Sequence, residues 1–277
     1  MNANSAALAR QTPSSRSHMA RRMVIGALGV VLSFAVLATS ALLRLATTLS
    51  DGVATTSLPQ AIEDPVRLIH RIAAMGISGM AVWAFALAWR ARRKAQPSDR
   101  SLRIATIILL LTVFLSALGP FTPGYRFDAV TVGNVAGGVA LILAFQAWWW
   151  AAMKAPQPDA ANPRAGRWAL IAFAAQVTLG ALVSAQAMTQ RFDALLPHIV
   201  SAILAVACTS VWWMRAPNAR RALSKALVLL AFQCAGGATL ALLAERPLLL
   251  AVGHATLSPL IGMALVSAWH ARIAGAR

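Results

Sequence analysis

Eight apolar stretches of about 20 residues each, over 23–45, 67–89, 103–120, 130–152, 167–187, 195–214, 222–243 and 248–270, occupy most of this chain. Each is long enough to cross about 30 Å of hydrocarbon as a helix rising about 1.5 Å per residue. Irregular backbone and open sheet edges cannot face lipid, so each stretch predicts a transmembrane helix. Composition agrees: charged residues are 12% of 277 and mean hydropathy is +0.65, whereas soluble domains carry about 25% charge. The expected fold is therefore an all-α integral membrane protein with eight transmembrane helices.

The net charge of +17 would suggest nucleic acid in a soluble protein. Here the basic residues fall in short connections between apolar stretches, so no nucleic-acid partner is expected and lipid is the surroundings. Arg10, Arg16, Arg21 and Arg22, the even-to-odd connections and the C-terminus hold 19 of the 25 Lys and Arg. The other side has Arg44, Arg67, Arg71, Arg126, Arg191 and Arg246. That asymmetry predicts that both termini are cytoplasmic. Trp83, Trp89, Trp148, Trp149, Trp150, Trp212, Trp213 and Trp269 lie toward the cytoplasmic ends of the even helices and read as an interfacial belt. Residues 1–20 read as a polar cytoplasmic tail. Arg21-Arg22 before an apolar run resembles a signal peptide, but the run reaches Leu43, too far for a cleaved segment.

The connection 46–66 is the longest on the outer side, either a cap or a plain linker. Cys208 and Cys234 lie inside apolar stretches without metal-binding spacing, so no disulfide framework is expected. Two related halves, 21–155 and 156–277, are suggested by Val132-Gly133-Asn134 opening the fourth stretch as Val252-Gly253-His254 opens the eighth. His70 likewise stands near the start of the second stretch as His198 does in the sixth. Two similar four-helix bundles follow. Arg-Phe-Asp-Ala recurs at 126–129 and 191–194, in loops that this duplication does not superimpose, and reads as chance.

An ionisable group inside hydrocarbon is costly and marks a candidate functional site. His18 in the tail and His270 among cytoplasmic arginines read as solvated and inert. His70, His198 and His254 all stand at the outer ends of even helices. A single membrane histidine commonly hydrogen-bonds a neighbouring helix. A matched pair suits a metal centre, and neutral imidazoles from facing bundle helices suit haem iron. Closed zinc sites want four N or S ligands, and only three histidines are available. A proton pathway wants membrane carboxylates, whereas all eight acidic residues read as lying in loops. His198 and His254 are accordingly the expected pair on one haem iron. Gly236-Gly237, Gly253 and Gly262 offer room for a macrocycle or, equally, for close helix packing.

At several points the chain resembles the haem A synthase family of cytochrome oxidase assembly proteins. Leu43-Arg44-Leu45-Ala46-Thr47 is similar to the family's Arg-Leu-Thr after the first helix, and Ile69-His70-Arg71 to its His-Arg in the second. Gln176-Val177-Thr178-Leu179-Gly180-Ala181-Leu182-Val183 matches in the fifth, and His198 and His254 in the sixth and eighth. The resemblance runs from about residue 20 to 270, through several short motifs kept in order and spacing. It implies an oxidoreductase of the bacterial inner membrane that converts haem O to haem A. His198 and His254 would hold a resident haem b, and His70 would bind the substrate haem. The haem O-producing enzyme and cytochrome oxidase subunits become possible partners.

The sequence departs from the family in the N-terminal half. Asn134 stands where the family has its fourth histidine, and Arg67 where it has a glutamate three residues before the helix-2 histidine. Glu63 is the nearest substitute for that glutamate, though Pro65 is expected to leave it in the loop. The cysteine pair that many members carry in the first outer loop is absent. Arg67 and Arg71 suit haem propionates, which arginine binds bidentately, or interfacial snorkelling. A non-catalytic haem-binding relative and, from another class, a repeat-built transporter are the alternatives.

Overall fold

A computed structural model describes residues 13–50, 53–93, 99–121, 128–152, 163–187, 191, 193–243 and 247–270. Within them run α1 (Pro13–Leu45), α2 (Gln60–Arg93), α3 (Asp99–Leu118), α4 (Asp128–Ala152), α5 (Pro163–Gln186), α6 (Leu195–Arg215), α7 (Arg220–Leu242) and α8 (Leu248–Trp269). All eight are long and apolar enough to cross a membrane. Large side chains such as Leu196, Leu242, Leu249 and Met75 point outward, which suits lipid and would be a liability in water.

The ends differ from the sequence reading. α1 begins at Pro13, a residue suited to a first helical turn, so part of the expected tail is helical. Residues 1–12 of that tail lie outside the described residues, as do Lys94, Arg126, Lys154, Arg246, Arg272 and Arg277 among the charges used for topology. The connection after α1 is not plain loop. Thr47–Ser50 (β1) and Val53–Thr56 (β2) form an antiparallel hairpin pairing Thr47 with Thr56 and Ser50 with Val53. Its base is closed by the N–H of Ser57 (2.8 Å) and its Oγ (3.0 Å), both donating to the Ala46 carbonyl.

α2 starts at Gln60, with Pro65 inside it. Proline there forfeits one bond, to the Ala61 carbonyl, which a 34-residue helix absorbs near its end. Glu63 and Asp64 are therefore helical rather than in a loop, and Asp128 opens α4.

Helices α1 to α4 pack in a closed ring, α1 against α2 and α4, and α3 against α2 and α4. Its core includes Ile25, Ile77, Ile108, Phe145 and Trp148. α5 to α8 close a second ring around Phe173, Leu223, Leu230, Ile261 and Leu265. The expected pair of four-helix bundles is thus present, joined where α1 and α4 meet α8 and α4 meets α5. At that seam a Cβ on Gly262 would lie 2.9 Å from the Phe173 ring and 3.0 Å from Leu143. Only glycine lets α8 approach that closely. Gln146 on α4 ties the same seam, its amide nitrogen donating to the Met263 carbonyl (2.8 Å) and Ser267 Oγ (3.0 Å) on α8.

Two belt tryptophans prove to be core residues: Trp148 is buried beneath Arg22 of α1, and Trp212 against Gly166 of α5 and Trp269 of α8. Trp83 and Trp89 face outward. Cys208 is half-buried, Cys234 is exposed, and both are free thiols.

Candidate functional site

His198 is the fourth residue of α6 and His254 the seventh of α8, counting from Leu195 and Leu248. Each points at the odd helix that precedes it in sequence. The His198 ring sits over Gly180 of α5, where a Cβ would meet its Cε1 at 2.8 Å. The His254 ring sits over Gly236 and Gly237 of α7, where a Cβ on Gly237 would meet Cε1 at 3.0 Å. Gly180 and the Gly236-Gly237 pair are therefore clearances for imidazoles. Gly262 serves helix packing instead, and Gly253 faces open space.

Four residues before each clearance stands a glutamine. Gln176 Nε2 lies 3.5 Å from His198 Nε2, and its Oε1 accepts from Ser201 Oγ at 2.6 Å. Gln233 Nε2 lies 3.4 Å from His254 Nε2 and 3.3 Å from Ser258 Oγ. Both glutamines are buried. Each helix pair thus carries the same unit: Gln and Gly on the odd helix, His and Ser on the even one. The two rings are near enough to interact electrostatically. In both, Nδ1 is buried and makes no hydrogen bond of its own, while the ring lies beside the backbone of its glutamine, Gln176 or Gln233. A buried polar atom in that state costs about 1–3 kcal/mol unless something takes it up. Two such nitrogens, on neutral rings from facing helices, fit the donor set that haem iron takes. Among the described residues no cluster of three or more His, Cys, Asp or Glu is placed to hold a metal ion.

His70 is held differently. Thr39 Oγ1 on α1 gives its proton to the Ala35 carbonyl (2.7 Å), with the Val36 carbonyl at 3.1 Å. Its contact with His70 Nδ1 at 3.1 Å must then be the ring donating to the hydroxyl. That fixes the Nδ1–H tautomer and leaves the Nε2 lone pair bare, the form in which imidazole binds a metal. Asn134 is half-buried and engaged with its surroundings. It is the seventh residue of α4, counting from Asp128, as His254 is of α8.

Glu63, expected in the loop, lies on α2 and pairs with Arg67 one turn on. Arg67 Nε donates to Glu63 Oε1 at 2.6 Å, and Nη2 contacts the same oxygen. Arg67 is thereby committed to Glu63, whereas Arg71 is exposed beside His70. Arg44, at the end of α1, is buried at 7% exposure, which its place in a basic-residue tally did not suggest.

His270, expected to be solvated, is not. It caps α8 at 6% exposure, with its ring parallel to that of Trp150. Nδ1 donates to the Val266 carbonyl at 2.8 Å, and Nε2 accepts from Arg100 at 2.8 Å. Burial holds its pKa below 6.5 against the opposing pull of the Val266 bond, and Arg100 adds a smaller push in the same direction as burial. The two Arg-Phe-Asp-Ala sites also meet, since Arg191 pairs with Asp193 (2.9 Å) and reaches Asp128 at 3.9 Å.

Sequence reasoning missed Gln233, Ser201, Ser258 and Thr39. The repeat of Gln-x-x-x-Gly at 176–180 and 233–237, 22 and 21 residues before the histidines, was the available signal. Searches with family models and against curated proteins find no match to the chain.

Proposed function

We propose that this protein is a haem-binding membrane oxidoreductase of the haem A synthase type, which converts haem O to haem A for cytochrome oxidase assembly. The observation that carries the reading is the duplicated Gln–His–Ser unit on two helix pairs, each imidazole with a buried, unpartnered Nδ1. On this reading His198 and His254 hold haem b. Held by these two imidazoles, haem b would supply electron transfer.

The N-terminal bundle takes the substrate. His70, in the Nδ1–H tautomer, would hold that haem through Nε2, and Asn134 takes the position in α4 that His254 takes in α8. Arg71 reaches for propionates, and Glu63 is the carboxylate nearest to manage a proton. The protein sits in a bacterial inner membrane with both termini cytoplasmic, beside the haem O-producing enzyme and the oxidase subunits that receive its product.

A second reading, a non-catalytic haem-binding assembly factor, has its own support: Arg67 already occupies the Glu63 carboxylate. Pigment chromatography separates the two. Co-expressed with a haem O producer, the synthase yields haem A, and the assembly factor returns haem O unchanged. A purified protein without haem would contradict both and favour a transporter.

A further inference from the structure

We infer that Gln176 and Gln233 are positioning residues for the two imidazoles, each fixing the ring nitrogen left over when the other is a ligand. This rests on the haem reading above and extends it to groups that touch no iron.

The same device occurs twice, on separate helix pairs, with the same spacing to glycine. Gln176 and Gln233 are 5% and 4% exposed inside membrane-spanning helices. A primary amide there is costly unless both its ends are employed. Gln176 uses both ends, Nε2 toward the His198 ring and Oε1 toward Ser201, whereas Gln233 faces the His254 ring and Ser258 with Nε2 alone.

An amide exchanges its oxygen and nitrogen by a half-turn about its last torsion. With oxygen toward the ring, Nε2–H donates to glutamine and Nδ1 keeps its lone pair. Turned the same way, Gln233 Oε1 accepts from His254 and Ser258, and its nitrogen takes over the buried place that has no partner. Gln176 donates to Ser201, whose hydroxyl already reaches the His198 carbonyl at 2.8 Å. A ligand imidazole whose N–H is accepted by a neighbour becomes more basic and lowers the reduction potential of its metal.

The test is optical redox titration of the full-length protein purified with its haem, as wild type, Q176L, Q233L, Q176E, Q233E and Q146L. Gln146 is a buried amide whose bonds go to Met263 and Ser267 and to no histidine, so it reports a merely structural loss. The expected midpoints fall in the order Leu, Gln, Glu at both 176 and 233, with haem retained and Q146L at the wild-type value. The glutamate forms keep the side chain's shape, so the series stays readable if a leucine form fails to fold. Unshifted midpoints at 176 and 233, or an equal shift in Q146L, would overturn the positioning role alone. Wild-type protein that purifies without haem would instead overturn the reading beneath it.

Discussion

Arg100 at the start of α3 donates to Nε2 of His270, 170 residues further along, and so pins the end of α8 to the N-terminal bundle. The contact requires a neutral ring, since a protonated one has no lone pair to offer and would face a guanidinium. In the folded protein the His270 pKa lies below its usual 6.5, whereas the unfolded chain regains that value. Between the two the unfolded state binds more protons, so stability is complete above pH 6.5 and falls as pH drops through that window. Thermal unfolding in detergent should show this loss on acidification, and H270Q should flatten it. A pH profile unchanged by H270Q would remove His270 as its source.

Glycine-to-alanine changes separate ring clearance from general packing. At Gly180 the new methyl would meet the His198 ring at 2.8 Å, and at Gly237 the His254 ring at 3.0 Å. Gly79 has nothing within 4 Å and serves as the control. Overpacking of this kind costs about 1–3 kcal/mol. G180A and G237A should purify with reduced haem, and G79A with the wild-type amount. Equal haem in all three would show that these glycines make no room for ligands.

Glu63 to alanine tests the proposal that the N-terminal bundle is the reacting half. The change frees Arg67 and removes the carboxylate proposed to manage a proton. Haem b content should be unaffected, while haem A formation should fall by about 10²–10⁴-fold, the usual worth of a proton-transferring side chain. Haem A formed at the wild-type rate by E63A would take Glu63 out of the chemistry.

Asn134 occupies in α4 the position that His254 occupies in α8. Asn134→His should therefore give the N-terminal bundle a second nitrogen ligand, seen as additional low-spin haem absorbance per protein. An unchanged spectrum would mean that residues 70 and 134 do not face one pocket.

The spans were legible because a bilayer leaves helices as the only solution for an apolar run of this length. Gly-His pairings were legible only in part: the sequence marks glycine as small but not what it makes room for, so Gly262 and Gly237 look alike although one meets Phe173 and the other His254. Pro65 and His270 misled for a shared reason. Local signals predict a helix break and a solvated histidine, but the long α2 absorbs one lost bond, and Arg100 and Trp150 cover the imidazole from other helices. Gln233 was silent because a buried amide gains meaning only from its partner across the helix pair.

The most direct test is the reduced-minus-oxidised absorbance spectrum of the purified protein beside H198A and H254A. One low-spin haem b per chain in the wild type, lost in both variants while the protein still folds, is the result expected. Haem retained in full by either variant would contradict the account at its centre.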